Sequence, residues 1–297
     1  MKPPIALADK GDLVEEWADR TFFRPLGYVV CRRLLPTRVT PDQVTVVSLV
    51  LGLVAGHLFF YDSWLVNLSG VLLFVVSDIF DSTDGQLART RGTSTPFGRV
   101  VDGVSDNLRF INLYLTLIAR LVVSGHSWQA LGLGVAAGVS HALQSTAVDT
   151  IRQAYLYLGA GKGSELDLPE AVAQRPRASG WRAFAAAGYA SYVRRQARLL
   201  PATFDLVRAA GAHPSDAFRQ EYRDTLSRLV PPCAWIGQNM RFLLLAITAV
   251  PGWPAGFFWL TILPLNAILA VLASAQERGA RALLRQESPR PVEARVA

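Results

Sequence analysis

Residues 64–88 read WLVNLSGVLLFVVSDIFDSTDGQLA, and this stretch decides the fold. Up to Ser77 it is almost wholly apolar, and then Asp78, Asp81 and Asp84 interrupt it at successive i+3 steps. A helix rising about 1.5 Å per residue needs about 20 apolar residues to cross a hydrocarbon core about 30 Å thick. The run is long enough, and its acids collect at one end, where a charged face meets a membrane boundary and avoids the costly midplane. Outward from it, five more stretches approach the same length: 44–61, 98–123, 128–158, 233–250 and 253–275. The expected fold is therefore all-α, a polytopic membrane protein with six transmembrane helices. Composition agrees, with 51% hydrophobic and only 18% charged residues and the apolar ones bunched into blocks.

The charges between the blocks give a topology. Connections at 62–63, 124–127 and 251–252 carry no Lys or Arg, whereas Arg20, Arg24, Arg32, Arg33 and Arg38 precede the first block. Arg89, Arg91 and Arg99 fill the second connection, and Arg278, Arg281 and Arg285 follow the last block. The positive-inside bias then sets both termini and the acidic face in the cytoplasm. The expected location is the inner membrane of a bacterial or archaeal cell. No short charged leader precedes an apolar core, so the N-terminus is expected to stay cytoplasmic.

Five regions follow. Residues 1–43 form an N-terminal segment in which Leu13, Trp17, Phe22, Phe23, Leu26, Val29 and Val30 alternate with charges at helical spacing. That pattern predicts an amphipathic interfacial helix, ended or turned into the membrane at Pro41. Residues 44–158 hold helices 1–4. Residues 159–232 are polar, with Pro169, Pro176, Pro201 and Pro214 among them, and too long for a bare loop, so a cytoplasmic helical insertion is expected there. Residues 233–275 hold helices 5 and 6, and 276–297 form a Pro-, Arg- and Glu-rich cytoplasmic tail.

Several chemistries receive no support. Cys31 and Cys233 lie far apart and fit no zinc or redox spacing, and His57, His126, His141 and His213 include no i,i+4 pair. The formal charge of +7 flanks apolar runs, the arrangement of a protein set against anionic membrane lipids, and no nucleic-acid partner is expected.

The acids carry the chemistry. Asp78, Asp81 and Asp84 share one face of their helix, and Asp102 and Asp106, at an i+4 step, share a face of the next. Counting along the helices puts Asp81 about 25 Å from Trp64, and Asp102 and Asp106 about 6 to 12 Å into theirs. Because the helices run in opposite directions, both faces reach a similar depth. Two explanations stand side by side. Arg89, Arg99 and Arg109 could neutralise the acids; or hard carboxylate oxygens, with no His or Cys competing, could hold Mg2+ or Mn2+, two ions able to grip both phosphates of a diphosphate. Gly85 beside Asp84, and Gly98 one turn before Asp102, either remove side chains where a ligand approaches or let helices pack closely.

The run Asp81-Ser-Thr-Asp84-Gly85-Gln-Leu-Ala88-Arg89, then eight residues, then Gly98-Arg-Val-Val-Asp102-Gly-Val-Ser-Asp106, resembles the complete signature of the CDP-alcohol phosphotransferase family. Thr40-Pro41-Asp42-Gln43-Val44-Thr45 resembles that family's turn into its first span. The likeness covers about 12–123 well, extends loosely to 275, and leaves 159–232 as a departure from the family core. It implies that Asp81, Asp84, Asp102 and Asp106 ligate two metal ions, with Asp106 also the catalytic general base. It further implies that Gly85, Ala88 and Arg89 lie against the cytidine diphosphate, with Asp42, Thr45 and Thr95 as further nucleotide contacts. Asp78 lies outside the signature and is expected to pair with a nearby arginine.

The expected reaction passes a substituted phosphate from a CDP-alcohol donor, CDP-diacylglycerol or a CDP-polyol, to an acceptor hydroxyl, with release of CMP. Arg109 and Arg241 are intramembrane cations that either pair with acids or contact the phosphate of a polyol phosphate acceptor. A homodimer is compatible with this layout. Two readings from other classes are a metal-coupled transporter and a non-catalytic scaffold of the same fold. The first predicts helix breaks at the midplane, and the second is favoured by loss of a signature acid, yet all four are present.

Overall fold

The structure is a computed structural model that describes residues 13–93, 96–162, 166–175 and 179–287; for 96–102, 127, 181–182, 184–185 and 287 it describes the backbone alone. In chain order the helices are α1 (Arg24–Leu34), α2 (Pro41–Leu58), α3 (Trp64–Arg91), α4 (Pro96–Val123), α5 (Ser127–Ala154), α6 (Pro169–Ala173), α7 (Trp181–Leu199), α8 (Pro201–Ala210), α9 (Asp216–Leu226), α10 (Gln238–Thr248), α11 (Pro254–Ile262) and α12 (Pro264–Glu287). A π-helical turn, Asp19–Phe23, leads into α1, and another, Tyr155–Gly159, follows α5. The described residues contain no strand. Among the described residues, three helical stretches are long and apolar enough to cross a membrane: Pro41–Leu58, Trp64–Arg91 and Pro254–Gln286.

Two of the expected spans take a different form. The 233–250 stretch is a 3-10 turn, Pro231–Ile236, followed by the 11-residue α10. At about 1.5 Å per residue α10 reaches only about 16 Å. The cause is local: Pro231 and Pro232 cannot donate to a preceding helix, and Gly237 adopts an extended backbone, φ −82° and ψ −175°, which interrupts the helical path. The 253–275 stretch divides at Pro264, which opens α12 for the same reason, and α12 then continues through Glu287, beyond the point where a tail was expected. Residues 288–297 lie outside the described residues.

The chain divides into two compact units. The first, Met1–His141 with Gln238–Pro264, contains the acidic constellation. Its α2 starts on a capping box: Thr40 Oγ1 accepts from Gln43 N at 3.3 Å, Gln43 Oε1 accepts from Thr40 N at 3.0 Å, and Pro41 fills the first helical position. α2 and α3 meet closely at Gly70, where a Cβ would come within 3.0 Å of the Ala55 carbonyl. α3 ends on Gly92, whose φ of +67° a residue with a side chain rarely adopts, and Thr93 N donates to Ala88 O at 2.9 Å to close the turn. At the other end of this helical group, Arg120 on α4 pairs with Asp62 at 2.5 Å and donates to Phe59 O at 3.3 Å.

α1 lies against the last turns of α3. Thr83 donates to Gly27 O and Gln86 to Arg24 O, and a Cβ at Gly27 would press on Gln86 and Ser82 at 3.0 Å. Cys31, Val44 and Leu87 form a buried cluster between α1, α2 and α3. Burial pushes the Cys31 thiol up from its ordinary value against the pull of Arg91, so it packs as a neutral apolar group. The α1–α2 connection is held by Arg91, whose guanidinium donates to the carbonyls of Val39 (2.5 Å), Thr37 (2.9 Å), Leu34 (3.0 Å) and Leu35 (3.3 Å). These carbonyls lie at the end of α1 and in the turn after it, where that of Leu34 also accepts from Thr37 N at 2.9 Å. Arg91→Ala is expected to lower stability by about 1–3 kcal/mol, measured as a lower unfolding midpoint in detergent.

The second unit comprises Ala142–Gly237 with Leu265–Ala297. Glu277 on α12 accepts from Ala202 N (2.8 Å), Thr203 N (3.0 Å) and Thr203 Oγ1 (3.1 Å), placing a carboxylate on the open amides at the start of α8. Asp149 on α5 accepts from Tyr192 Oη at 2.6 Å and Gln196 Nε2 at 3.0 Å, which fastens α7 to α5.

Candidate active site

α3 carries Asp78, Asp81 and Asp84 on the face turned to α2 and α4, and α4 brings Asp106 and Arg109 one turn apart. Arg109 is the hub. Its Nη1 lies 3.1 Å from Asp78 Oδ1, its Nη2 lies 2.8 Å from Asp81 Oδ1, and Nη2 also contacts Asp106 Oδ1. The three carboxylates are graded in exposure: the side chains of Asp78, Asp81 and Asp106 are 10%, 26% and 37% accessible, while that of Arg109 is 3%. The guanidinium therefore forms a buried floor, with Asp106 the acid most open to an incoming group. Of the two alternatives for Arg109, pairing with acids is the one seen here, and Asp78 is held on Arg109 as expected.

Three features around this floor are not evident from sequence pattern. Ser48 and Ser77 bond reciprocally, each hydroxyl within 2.9 Å of the other's carbonyl, and Arg109 Nη1 reaches Ser77 Oγ at 3.0 Å. Gln238, at the start of α10, donates to both oxygens of Asp78 at 3.0 and 2.9 Å. Gly52 on α2 makes room for the arginine, since a Cβ there would overlap Arg109 Cδ and Cγ. One turn on, a Cβ at Gly56 would collide with Asn112, which donates to Leu53 O at 2.8 Å. A signal for the third is present as the pair Gly52…Gly56 in an apolar helix, the spacing that lets two helices approach closely. Gly52→Ala is expected to displace Arg109, costing about 1–3 kcal/mol, whereas Gly132→Ala, where a Cβ meets nothing within 4 Å, is expected to be nearly neutral; unfolding midpoints compare the two.

The other signature positions are placed as follows. Asp84 is buried and accepts from Thr45 Oγ1 at 2.5 Å, which ties the first turns of α2 to the acidic face of α3. A Cβ at Gly85 would lie 3.2 Å from Arg89 Nη1, so the absent side chain leaves room for the Arg89 guanidinium to fold back over α3. Ala88 is half-buried on the same helix, and Asp42 is exposed on the first turn of α2. Asp102 and Gly98 lie on the backbone-only part of α4, and Thr95 lies outside the described residues. Arg241 is buried on α10, with Tyr114 and Glu16 as electrostatic neighbours.

Among the described residues no three His, Cys, Asp or Glu side chains are grouped as a metal site, and the side chain of Asp102 is not among them. The donor chemistry nonetheless fits a divalent cation. One guanidinium faces three carboxyl groups, Asp84 adds a fourth acid on the same helix as two of them, and every donor is a hard oxygen.

The fold and this site define a class: an all-helical integral membrane protein with an acidic site at one end of its apolar helices. Residues 38–160 match the family model of CDP-alcohol phosphatidyltransferase. Two curated relatives agree. The bifunctional IPC transferase and DIPP synthase of Thermococcus kodakarensis is 32% identical over 101 residues, 34% of this chain and 22% of that protein. The archaetidylinositol phosphate synthase of Pyrococcus horikoshii is 33% identical over 101 residues, 29% of this chain and 52% of that protein. The chain thus spans about half of one relative's length, and less of the other's.

Proposed function

We propose that the protein transfers a substituted phosphate from a CDP-alcohol to an acceptor hydroxyl, releasing CMP and forming a phosphodiester. The observation that carries this reading is the convergence of Asp78, Asp81 and Asp106 on buried Arg109 beside the Thr45–Asp84 bond, within the segment that matches the family. Asp81, Asp84, Asp102 and Asp106 would hold one or two divalent ions, Mg2+ or Mn2+; bound there, such ions supply neutralisation of diphosphate charge at an otherwise acidic site. Arg109 keeps Asp81 and Asp106 oriented. The acceptor oxygen attacks the phosphorus that bears the donor alcohol, the bond from that phosphorus to CMP breaks, and Asp106 takes the hydroxyl proton. Gly85, Ala88 and Arg89, with Asp42, Thr45 and Thr95, would line the nucleotide, Arg89 offering a guanidinium to a phosphate.

The name of the Pyrococcus relative, archaetidylinositol phosphate synthase, is that of an enzyme whose product carries an inositol phosphate. It favours a polyol phosphate acceptor, with Arg241 as a cationic contact, and CDP-diacylglycerol or a related lipid as donor. Six crossings follow if the 28-residue α4 and α5 also span and if residues 233–250 make the fifth. The basic segments then place the site and both termini in the cytoplasm, with α1 along the interface and Trp17, Phe22 and Val29 toward lipid.

The test is release of CMP from CDP-diacylglycerol by purified protein given an acceptor. Removal of divalent ions with EDTA is expected to stop release and excess Mg2+ to restore it. Turnover indifferent to EDTA would remove the metal part of this reading.

A further inference from the structure

Outside the acidic site, the second unit contains a cavity of about 640 Å3. It is bounded by the turn after α5, the approach to α6 and the α8–α9 connection, and apart from Tyr157 and the adjoining turn it lies beyond the segment that matches the family. Two glycines in the left-handed region shape its walls, Gly161 at φ +63° and Gly211 at φ +64°. Each does a second job. A Cβ at Gly161 would overlap Arg219 Nη1, so the bare backbone is what admits the arginine to the cavity edge. The Gly211 carbonyl accepts from Tyr157 Oη at 2.5 Å, which fastens the turn after α5 to the α8–α9 connection. Arg219 is itself held in place by its Nε, which donates to Pro214 O at 3.0 Å.

Among the described residues that line this cavity, the charges are not balanced. Arg208 is taken up by Glu170, at 2.7 and 3.2 Å, and by Asp205 at 2.7 Å. Lys162 and Arg219 also line the cavity, and among the described residues no carboxylate pairs with either. His213 is a further lining residue. Two cations and an imidazole lining one concave space of ligand size form a site that favours a compact, highly charged anion; a guanidinium fork and an ammonium together suit tetrahedral phosphate oxygens better than a planar, singly charged carboxylate. Leu166, Leu168 and Val207 give the remaining wall an apolar surface for whatever carries the phosphate.

We propose that this cavity binds a phosphate dianion through Lys162, Arg219 and His213, as the phosphomonoester end of a soluble metabolite or of a lipid headgroup. The site is separate from the transfer reaction and does not rest on it.

The test uses the full chain in detergent with EDTA present, so that the acidic site is not loaded with metal, and radiolabelled inorganic phosphate in equilibrium dialysis. Saturable binding of one phosphate per chain is expected, weakened about tenfold or more by Lys162→Gln and by Arg219→Gln and unchanged by Asp81→Asn. Because Arg219 also holds the Pro214 carbonyl, its variant is checked by its unfolding midpoint; exposed Lys162 makes no such bond, and its variant alone decides if the other fails to fold. Displacement by phosphatidic acid in nanodiscs names a lipid source, and displacement only by soluble phosphomonoesters names a metabolite; both support the site. Absence of saturable binding, or binding unaltered in Lys162→Gln, would overturn it.

Discussion

Replacing Arg109 by methionine is expected to destabilise the protein by about 3–5 kcal/mol and to abolish transfer, because Asp78, Asp81 and Asp106 would then face one another without their shared cation. Methionine fills similar volume and can pass Gly52, so the loss reports charge and hydrogen bonding more than packing. Denaturant unfolding in detergent, read as a shift in midpoint, measures it. A second change separates the causes. Asp78→Asn, combined with Arg109→Met in one chain, removes the most buried of the stranded carboxylates and is expected to recover part of the loss, with a coupling of about 0.5–3 kcal/mol. Arg109→Lys keeps a charge but loses the fork that reaches two sets of acids at once, so it is expected to fall between the wild type and the methionine variant. If the methionine variant is as stable and active as the parent, Arg109 is not the organising cation.

Asp106→Asn is the variant expected to affect turnover most selectively. The amide keeps the shape of the side chain and a carbonyl oxygen for Arg109, yet it cannot accept a proton from an acceptor hydroxyl. A positioned base contributes about 10²- to 10⁴-fold, so kcat is expected to fall by that much while CDP-alcohol binding changes little. CMP release and binding of a labelled CDP-donor, measured on the same preparation, separate the two effects. Equal losses in both would assign Asp106 to holding the donor, and full turnover would remove it as the base.

Much of this site is legible in the amino-acid sequence, for a physical reason: helical spacing converts positions in the chain directly into faces. The i+3 steps from Asp78 to Asp84 can only place those acids along one side of α3, and the opposite direction of α4 brings Asp106 to the same end. Partner choice is less legible. Arg109 has two chemically reasonable partners, an acid or a ligand phosphate, and only the depth of its side chain between α2, α3 and α4 decides which it meets. The approach of Gln238 to Asp78 joins residues 160 apart in the chain, and no local pattern announces it.

The span boundaries fail where hydropathy ignores backbone chemistry. Residues 233–250 are apolar enough to suggest a helix throughout, yet Pro231, Pro232 and the extended Gly237 confine regular α-helix to Gln238–Thr248. Pro264 opens a new helix within the next stretch, which still runs long and apolar enough to cross a membrane as Pro254–Gln286. The Gly52…Gly56 spacing marks a close helix approach, but what Gly52 makes room for shows only against the Arg109 side chain it accommodates.

The central claim is that this acidic site joins two alcohols through one phosphate. It is tested most directly by incubating the purified protein with CDP-diacylglycerol and a panel of polyols, polyol phosphates and amino alcohols, and identifying the products by mass spectrometry. The account predicts a phosphodiester containing the diacylglycerol phosphate and one acceptor, formed in equal amount with CMP and absent with Asp106→Asn. Release of CMP with phosphatidic acid and no acceptor product, or the same product from Asp106→Asn at an undiminished rate, would contradict it.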